Sequence, residues 1–194
     1  MKATDLLINQ HRAVEDLFEQ FEDAEDAEEK REIFEKLAAN LVGHDAIERE
    51  IFYPACEKEL SADDEDVLHE SLVEHGVVEF SLFRADENRN GEDFDKYVTV
   101  LKEIVEHHVE EEESELFPKA KSEMEDERLE ELGARMEKRF EQALASDFRE
   151  PLCDNLDQVL AGRTKTQKKA PAAQGHGKAN ARPKTHRGES RAHK

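Results

Sequence analysis

The sequence predicts an all-α protein: an up-down-up-down four-helix bundle with an additional C-terminal helix and a disordered tail. Three observations lead there. Apolar residues recur at steps of three and four in four successive segments, and none sustains the alternation a strand needs. Charged residues make up 40% and aromatics 6% with no Trp, so apolar positions are sparse and spaced, as amphipathic helices require. Runs of Asp, an Asn-Gly pair and prolines fall between segments, where helices end.

The first helix is expected to begin near Thr4 or Asp5, whose side chains can cap free N–H groups, with the stripe Leu7, His11, Val14, Phe18, Phe21. An acidic linker over 22–26 leads to a second stripe, Ile33, Leu37, Leu41, His44, Glu48, Ile51, Ala55, which Pro54 ends or kinks. The third helix is expected to start within 61–64 and carries Leu68, Leu72, His75, Val78 and Leu82 before the Asn90-Gly91 turn signal. The fourth carries Phe94, Val98, Leu101, Val105, His108, Glu112 and Leu116 and reaches Pro118. Short connections make successive helices antiparallel neighbours. A further amphipathic segment over 126–148, around Leu129, Leu132, Met136, Phe140 and Leu144, reads as a packing appendage, and Leu152, Leu156, Val159 and Leu160 add a short helical turn.

Charge divides the chain. Residues 1–160 carry 18 Lys and Arg against 48 Asp and Glu, whereas 161–194 carry 10 against 1. The expected organisation is therefore a folded unit over 1–160, with its core at about 4–120, followed by a basic tail too poor in large apolar residues to fold. So acidic a body argues against nucleic acid as its partner, because phosphate binding draws on clustered Lys and Arg. The tail suits an acidic partner. Two cysteines, Cys56 and Cys153, lack metal-type spacing and imply neither a disulfide framework nor a thiolate site. The first residues contain no apolar signal core and no stretch nears the about 20 apolar residues of a membrane span, so a soluble cytoplasmic protein is expected.

The chemistry lies in an internal repeat. His44-x-x-x-Glu48 is followed by Pro54 as His108-x-x-x-Glu112 is followed by Pro118: Glu four residues after His, Pro ten after it. Side chains at i and i+4 are neighbours on a helix, so each imidazole and carboxylate can reach a shared ion. Each pair interrupts an otherwise apolar stripe, where bare carboxylates are costly unless a cation compensates them. Imidazole with carboxylate suits iron, manganese or zinc better than magnesium or calcium. His11 and His75 add one histidine from each remaining wall, giving the candidate set His11, His44, Glu48, His75, His108 and Glu112. A register shifted by one would select His107 and Glu111; the stripe Val98, Leu101, Val105 and the Pro118 alignment favour His108. His69 and His107 are expected to face outward, and His176, His186 and His193 belong to the tail. Tyr53 and Tyr97 could approach the site as donors; Tyr53 lies off the His44 stripe, so a packing or surface role has at least equal weight. Asp45 and Glu79 are possible further oxygen donors, although an exposed helical carboxylate is the commoner use.

The ordered pattern His11, His44-x-x-x-Glu48, His75, His108-x-x-x-Glu112, with the flanking phrases Ile51-Phe52-Tyr53-Pro54, Glu74-His75 and Leu116-Phe117-Pro118, resembles the hemerythrin-like, or HHE cation-binding, family over about 4–120. The resemblance implies two iron ions joined by an oxo or hydroxo bridge, with Glu48 and Glu112 bridging and His11, His44, His75 and His108 terminal. Oxygen-carrying members usually have a pair of histidines on the third helix, whereas Ser71 and Glu79 flank His75 here. That departure shifts the expected function from oxygen carriage to binding or sensing of oxygen, nitric oxide, peroxide or iron in stress response. An enzyme decomposing peroxide or acting on nitric oxide is the alternative, and a metal-free acidic interaction bundle is a third reading. No catalytic residue is assigned by the pattern.

Overall fold

A computed structural model describes residues 1–61 and 65–160. The expected basic tail, 161–194 with its three histidines, lies outside the described residues. Those described form helices and turns with no strand. In order they are α1 (Ala3–Asp23), α2 (Ala27–Ile47), α3 (Tyr53–Glu59), α4 (Glu65–Glu87), α5 (Phe94–Glu111), α6 (Phe117–Glu123), α7 (Asp126–Leu144) and α8 (Arg149–Leu160). Wider π turns, 48–52 and 112–116, join α2 to α3 and α5 to α6 without a break.

Helix starts differ in chemistry. The Asp26 carboxylate accepts from the backbone N–H groups of Glu28 and Glu29, which caps α2 and makes the acidic linker its start signal. The cap position of α1 is Lys2, two or three residues before the expected caps, and no side chain caps it; Thr4 is instead buried inside the helix. Pro54 does not end the second helix. It sits in the first turn of α3, where a missing N–H costs least, just after the π turn. Pro118 repeats the arrangement in α6.

Side-chain pairs set the directions. His11 midway along α1 meets His44 in the last turn of α2, while Phe21 near the end of one packs under Lys30 near the start of the other. His75 meets His108, and Arg84 meets Tyr97, in the same antiparallel sense. Glu22 with Lys102 and Glu113 with His11 run α1 against α5, and Leu37 shares one apolar cluster with Leu82 while Phe52 shares the other with Leu68, which runs the second helix against α4. The bundle is up-down-up-down.

Two apolar clusters fill it. One gathers Phe18, Phe21, Phe34, Leu37, Leu82, Phe94 and Leu101; the other Leu7, Ile47, Phe52, Leu68, Leu116 and Phe117. Along each helix the candidate histidine lies between residues of the first cluster and residues of the second, so a polar layer crosses the bundle between two dry cores. The appendage is α7 and, where a short helical turn was expected, the twelve-residue α8. Leu129, Leu132 and Met136 of α7 join the second cluster, and Leu152 and Leu156 of α8 join the first; Leu144, placed on the apolar stripe by sequence, is exposed. Gly133 of α7 lies so close to the N-terminus that a Cβ there would stand 2.2 Å from the Met1 carbonyl oxygen. The cysteines are unpaired, Cys56 buried and Cys153 exposed. No helix among the described residues is long and apolar enough to cross a membrane.

Candidate metal centre

The layer is built from two helical hairpins. α1 and α2 bring His11 and His44 together with their Nε2 atoms 3.3 Å apart; α4 and α5 bring His75 and His108 to 3.1 Å. Between the pairs lie the carboxylates. Glu48 Oε2 is 3.1 Å from His44 Nε2 and 3.2 Å from His75 Nε2. Glu112 Oε2 is 3.4 Å from His11 Nε2 and 3.6 Å from His108 Nε2. Each carboxylate therefore faces one imidazole from each hairpin. His11, His44, Glu48 and Glu112 form one group able to surround an ion, and Glu48, His75 and His108 a second, with Glu48 common to both. All six sequence-predicted residues meet here and all six are buried. His69 faces out, and His107 is 64% exposed on the outer side of α5.

Every imidazole is held from behind. Nδ1 of His11 contacts Glu113 Oε1 at 2.9 Å, that of His44 contacts Gln10 Oε1 at 2.9 Å, that of His75 contacts Asp45 Oδ1 at 2.6 Å, and that of His108 contacts Glu74 Oε2 at 2.8 Å. An oxygen acceptor at Nδ1 keeps the proton there and leaves the Nε2 lone pair pointing inward, the tautomer a metal ligand needs. Two lone pairs then face each other at 3.1 to 3.3 Å in each pair, an arrangement that calls for a cation between them. Both Glu48 oxygens and Glu112 Oε2 are buried without a hydrogen bond, a costly state that a coordinated ion would relieve. Bonds of about 2.1 Å place neighbouring ligand atoms about 3 to 3.5 Å apart. The donor set fits two ions of the iron, manganese or zinc type.

Charge balance points the same way. Burial disfavours the charged form of His75, yet its hydrogen bond with Asp45 and the adjacent Glu48 carboxylate outweigh that and raise it to about 10. Burial likewise opposes and Glu112 outweighs it at His11, which is raised. Burial would raise Glu48, but His44 and His75 hold it well below the usual carboxylate range. Without a metal, then, a proton on His75 supplies positive charge beside Asp45 and Glu48.

Tyr53, which the sequence left open between a donor at the site and a packing or surface role, is buried, its hydroxyl donating to Glu112 Oε1 at 2.8 Å and lying 2.7 Å from His75 Nε2. On a regular helix nine residues place it about 180° from His44. The π turn, in which the Tyr53 N–H donates to the Glu48 carbonyl five residues back, absorbs one residue and brings it to about 80°. Burial and the charges of Glu112 and Glu48 push its phenol well above the usual value. The repeat itself held a usable signal, because Tyr53 and Phe117 stand at the same offset from His44 and His108. Phe117 stacks on His11 with ring centroids 5.7 Å apart.

Asp45 and Glu79 are both buried, against the exposed use favoured from sequence. Neither joins the ligand groups. Asp45 accepts from His75, from Arg49 Nε at 2.5 Å and from Asn155 Nδ2 of α8 at 3.1 Å; the Arg49 guanidinium goes on to Glu79 Oε2 at 3.0 Å. Burial and neighbouring Asp45 push Glu79 up to about 7, against the pull of Arg49. Asn155 makes α8 part of the support of the site rather than packing alone. Beside the layer lies a cavity of about 40 Å³ walled by Val14, Leu41, Val78, Leu82, Val105 and Val109 and reaching the four histidines.

A family model described as the hemerythrin HHE cation-binding domain matches residues 2–120. The crystal structure of a hemerythrin HHE cation-binding domain-containing protein from Mycobacterium kansasii superposes with a TM-score of 0.67 at 24% identity, covering 78% of this chain and 97% of that one. At that identity the likeness speaks to the fold. No curated protein matches the chain.

Proposed function

Because the chain belongs to the hemerythrin HHE cation-binding domain family, we propose that its buried layer holds two iron ions and binds a small redox-active molecule, namely oxygen, nitric oxide or peroxide, as a binder or sensor in stress response. His11 and His44 serve one ion and His75 and His108 the other, with Glu48 and Glu112 between them. The observation that carries this reading is the position of Glu48, common to two converging ligand groups and buried without a hydrogen bond. An iron pair supplies one-electron redox changes and open coordination positions.

The chain's own contributions follow from the geometry. Four outer acceptors fix the ring orientations, and the two dry clusters exclude bulk water. The cavity has room for about two or three water-sized molecules and an apolar wall, which suits a diatomic or peroxide and rejects a bulky organic substrate. Tyr53 places a hydroxyl beside His75 and Glu112, where it can donate a hydrogen bond to a molecule held there.

That hydroxyl favours a second reading, turnover of peroxide, since a positioned donor is what bond cleavage requires beyond binding. Elemental analysis and an optical spectrum of the purified protein test the first reading. Two irons per chain with the near-ultraviolet absorption of a bridged pair are expected, and a single zinc or no metal overturns it. Steady-state turnover of peroxide by the iron-loaded protein, lost in His108→Ala, selects the enzyme; oxidation without turnover selects the binder.

A further inference from the structure

The shifted register on α5 is not idle. His107 and Glu111 form a second His-x-x-x-Glu pair, one residue ahead of His108 and Glu112 and so rotated about 100° to the outside. His107 Nε2 stands 3.4 Å from Glu111 Oε1 and 3.7 Å from Glu74 Oε1, which reaches across from α4. Ligand atoms of all three lie within 4.8 Å of one another. Neighbouring ligand atoms around a tetrahedral ion with bonds of about 2.1 Å are about 3.4 Å apart. An imidazole and two carboxylates from two helices thus converge to within a few tenths of an ångström of that spacing at His107, with the third separation inside 4.8 Å, and solvent can fill the remaining positions.

Glu74 sets this cluster apart from the acidic surface around it. One of its oxygens faces His107, and the other accepts from His108 Nδ1 at 2.8 Å. The same carboxylate touches the outer cluster and the back of a buried ligand. An ion entering the buried layer from water must shed its hydration shell and pass a wall of nearly inaccessible side chains. An outer position supplying one nitrogen and two negative oxygens replaces part of that shell before entry.

We propose that Glu74, His107 and Glu111 form an outer, solvent-facing site for a divalent first-row transition ion, from which the buried layer is loaded. Imidazole in the set selects zinc, iron(II) or manganese(II) over calcium and magnesium. The loading role rests on the buried layer being a metal centre; binding at the outer site does not.

The test uses the full chain, stripped of metal and titrated calorimetrically with zinc(II), as wild type, His107→Ala, Glu111→Gln, the inner variant His44→Ala and the exposed neighbour Glu110→Gln. Uptake of iron(II) is followed in parallel by bound metal after rapid desalting. His107→Ala and Glu111→Gln are expected to lose one weak equivalent, or to weaken it about tenfold or more, while the other equivalents persist and iron uptake slows several-fold. Glu110→Gln should match wild type, and His44→Ala should retain the weak equivalent. Identical stoichiometry and affinity in His107→Ala and wild type overturns the outer site. A lost equivalent with an unchanged uptake rate overturns the loading role. If His44→Ala titrates like wild type while His107→Ala still loses its equivalent, the outer site stands and the reading of the buried layer fails.

Discussion

The two hairpins that build the centre are one design used twice. Each supplies a histidine from its first helix, a His-x-x-x-Glu pair from its second, then a π turn, an aromatic residue and a proline. The π turns are equivalent to the residue: the Phe117 N–H donates to the Glu112 carbonyl as the Tyr53 N–H donates to Glu48. What differs is the chemistry hung on this frame. Phe117 gives His11 an apolar face, whereas Tyr53 gives His75 a hydroxyl. His11 leans on Glu113, which is partly exposed and paired with Arg12; His75 leans on Asp45, inside a buried network with Arg49 and Asn155. Position is therefore set by the repeat, and reactivity by the places where the repeat is broken.

The largest effect is expected where the halves share a group. Glu48→Ala removes a carboxylate from both ligand groups, and metal content should fall from two ions per chain to one or none by elemental analysis. A ratio still near two would break the symmetric reading. Next comes the aromatic difference. Tyr53→Phe makes the halves alike, and loss of a positioned hydroxyl should slow the reaction of the iron-loaded protein with peroxide by about 100-fold in stopped-flow traces. Metal content should not change. An unaltered rate would make Tyr53 a packing residue after all.

Third are the outer acceptors. Asp45→Asn should weaken metal binding about 10- to 100-fold in competition with a chelator. Gln10→Ala, behind His44, should cost less, because a neutral amide adds less to the basicity of its imidazole than a carboxylate does. Equal losses would show that orientation, not charge, is what these acceptors supply. The smallest effect belongs to Asn155→Ala, which removes one hydrogen bond to Asp45 and should lower stability by about 1 kcal/mol in denaturant unfolding. A larger loss would mean that α8 docks chiefly through this contact.

Much of the site was legible because its signals are local. The i,i+4 spacing of His44 with Glu48 and of His108 with Glu112, set in apolar stripes, is a property of one helix, and a helix keeps its register unless something interrupts it. Tyr53 stayed open between the site and the surface because a π turn did interrupt it. Asp45 and Glu79 were placed outside for another reason: an acidic residue on a helix reads as solvated until a distant Arg49 or Asn155 is known to face it. Asn155 lies 110 residues from Asp45, and no pattern around it points there.

By itself, then, the sequence determined the helical class, the acidic body and the six inward-facing residues, since these follow from periodicity and composition along single segments, and its ordered His and Glu pattern carried the resemblance to the family. Only the tertiary structure decided that Glu48 lies between two histidine pairs, that Tyr53 turns inward, that α8 braces Asp45, and that Glu74 touches both His107 and His108. Those are distances between side chains on different helices, and they exist only once packing has chosen which faces meet.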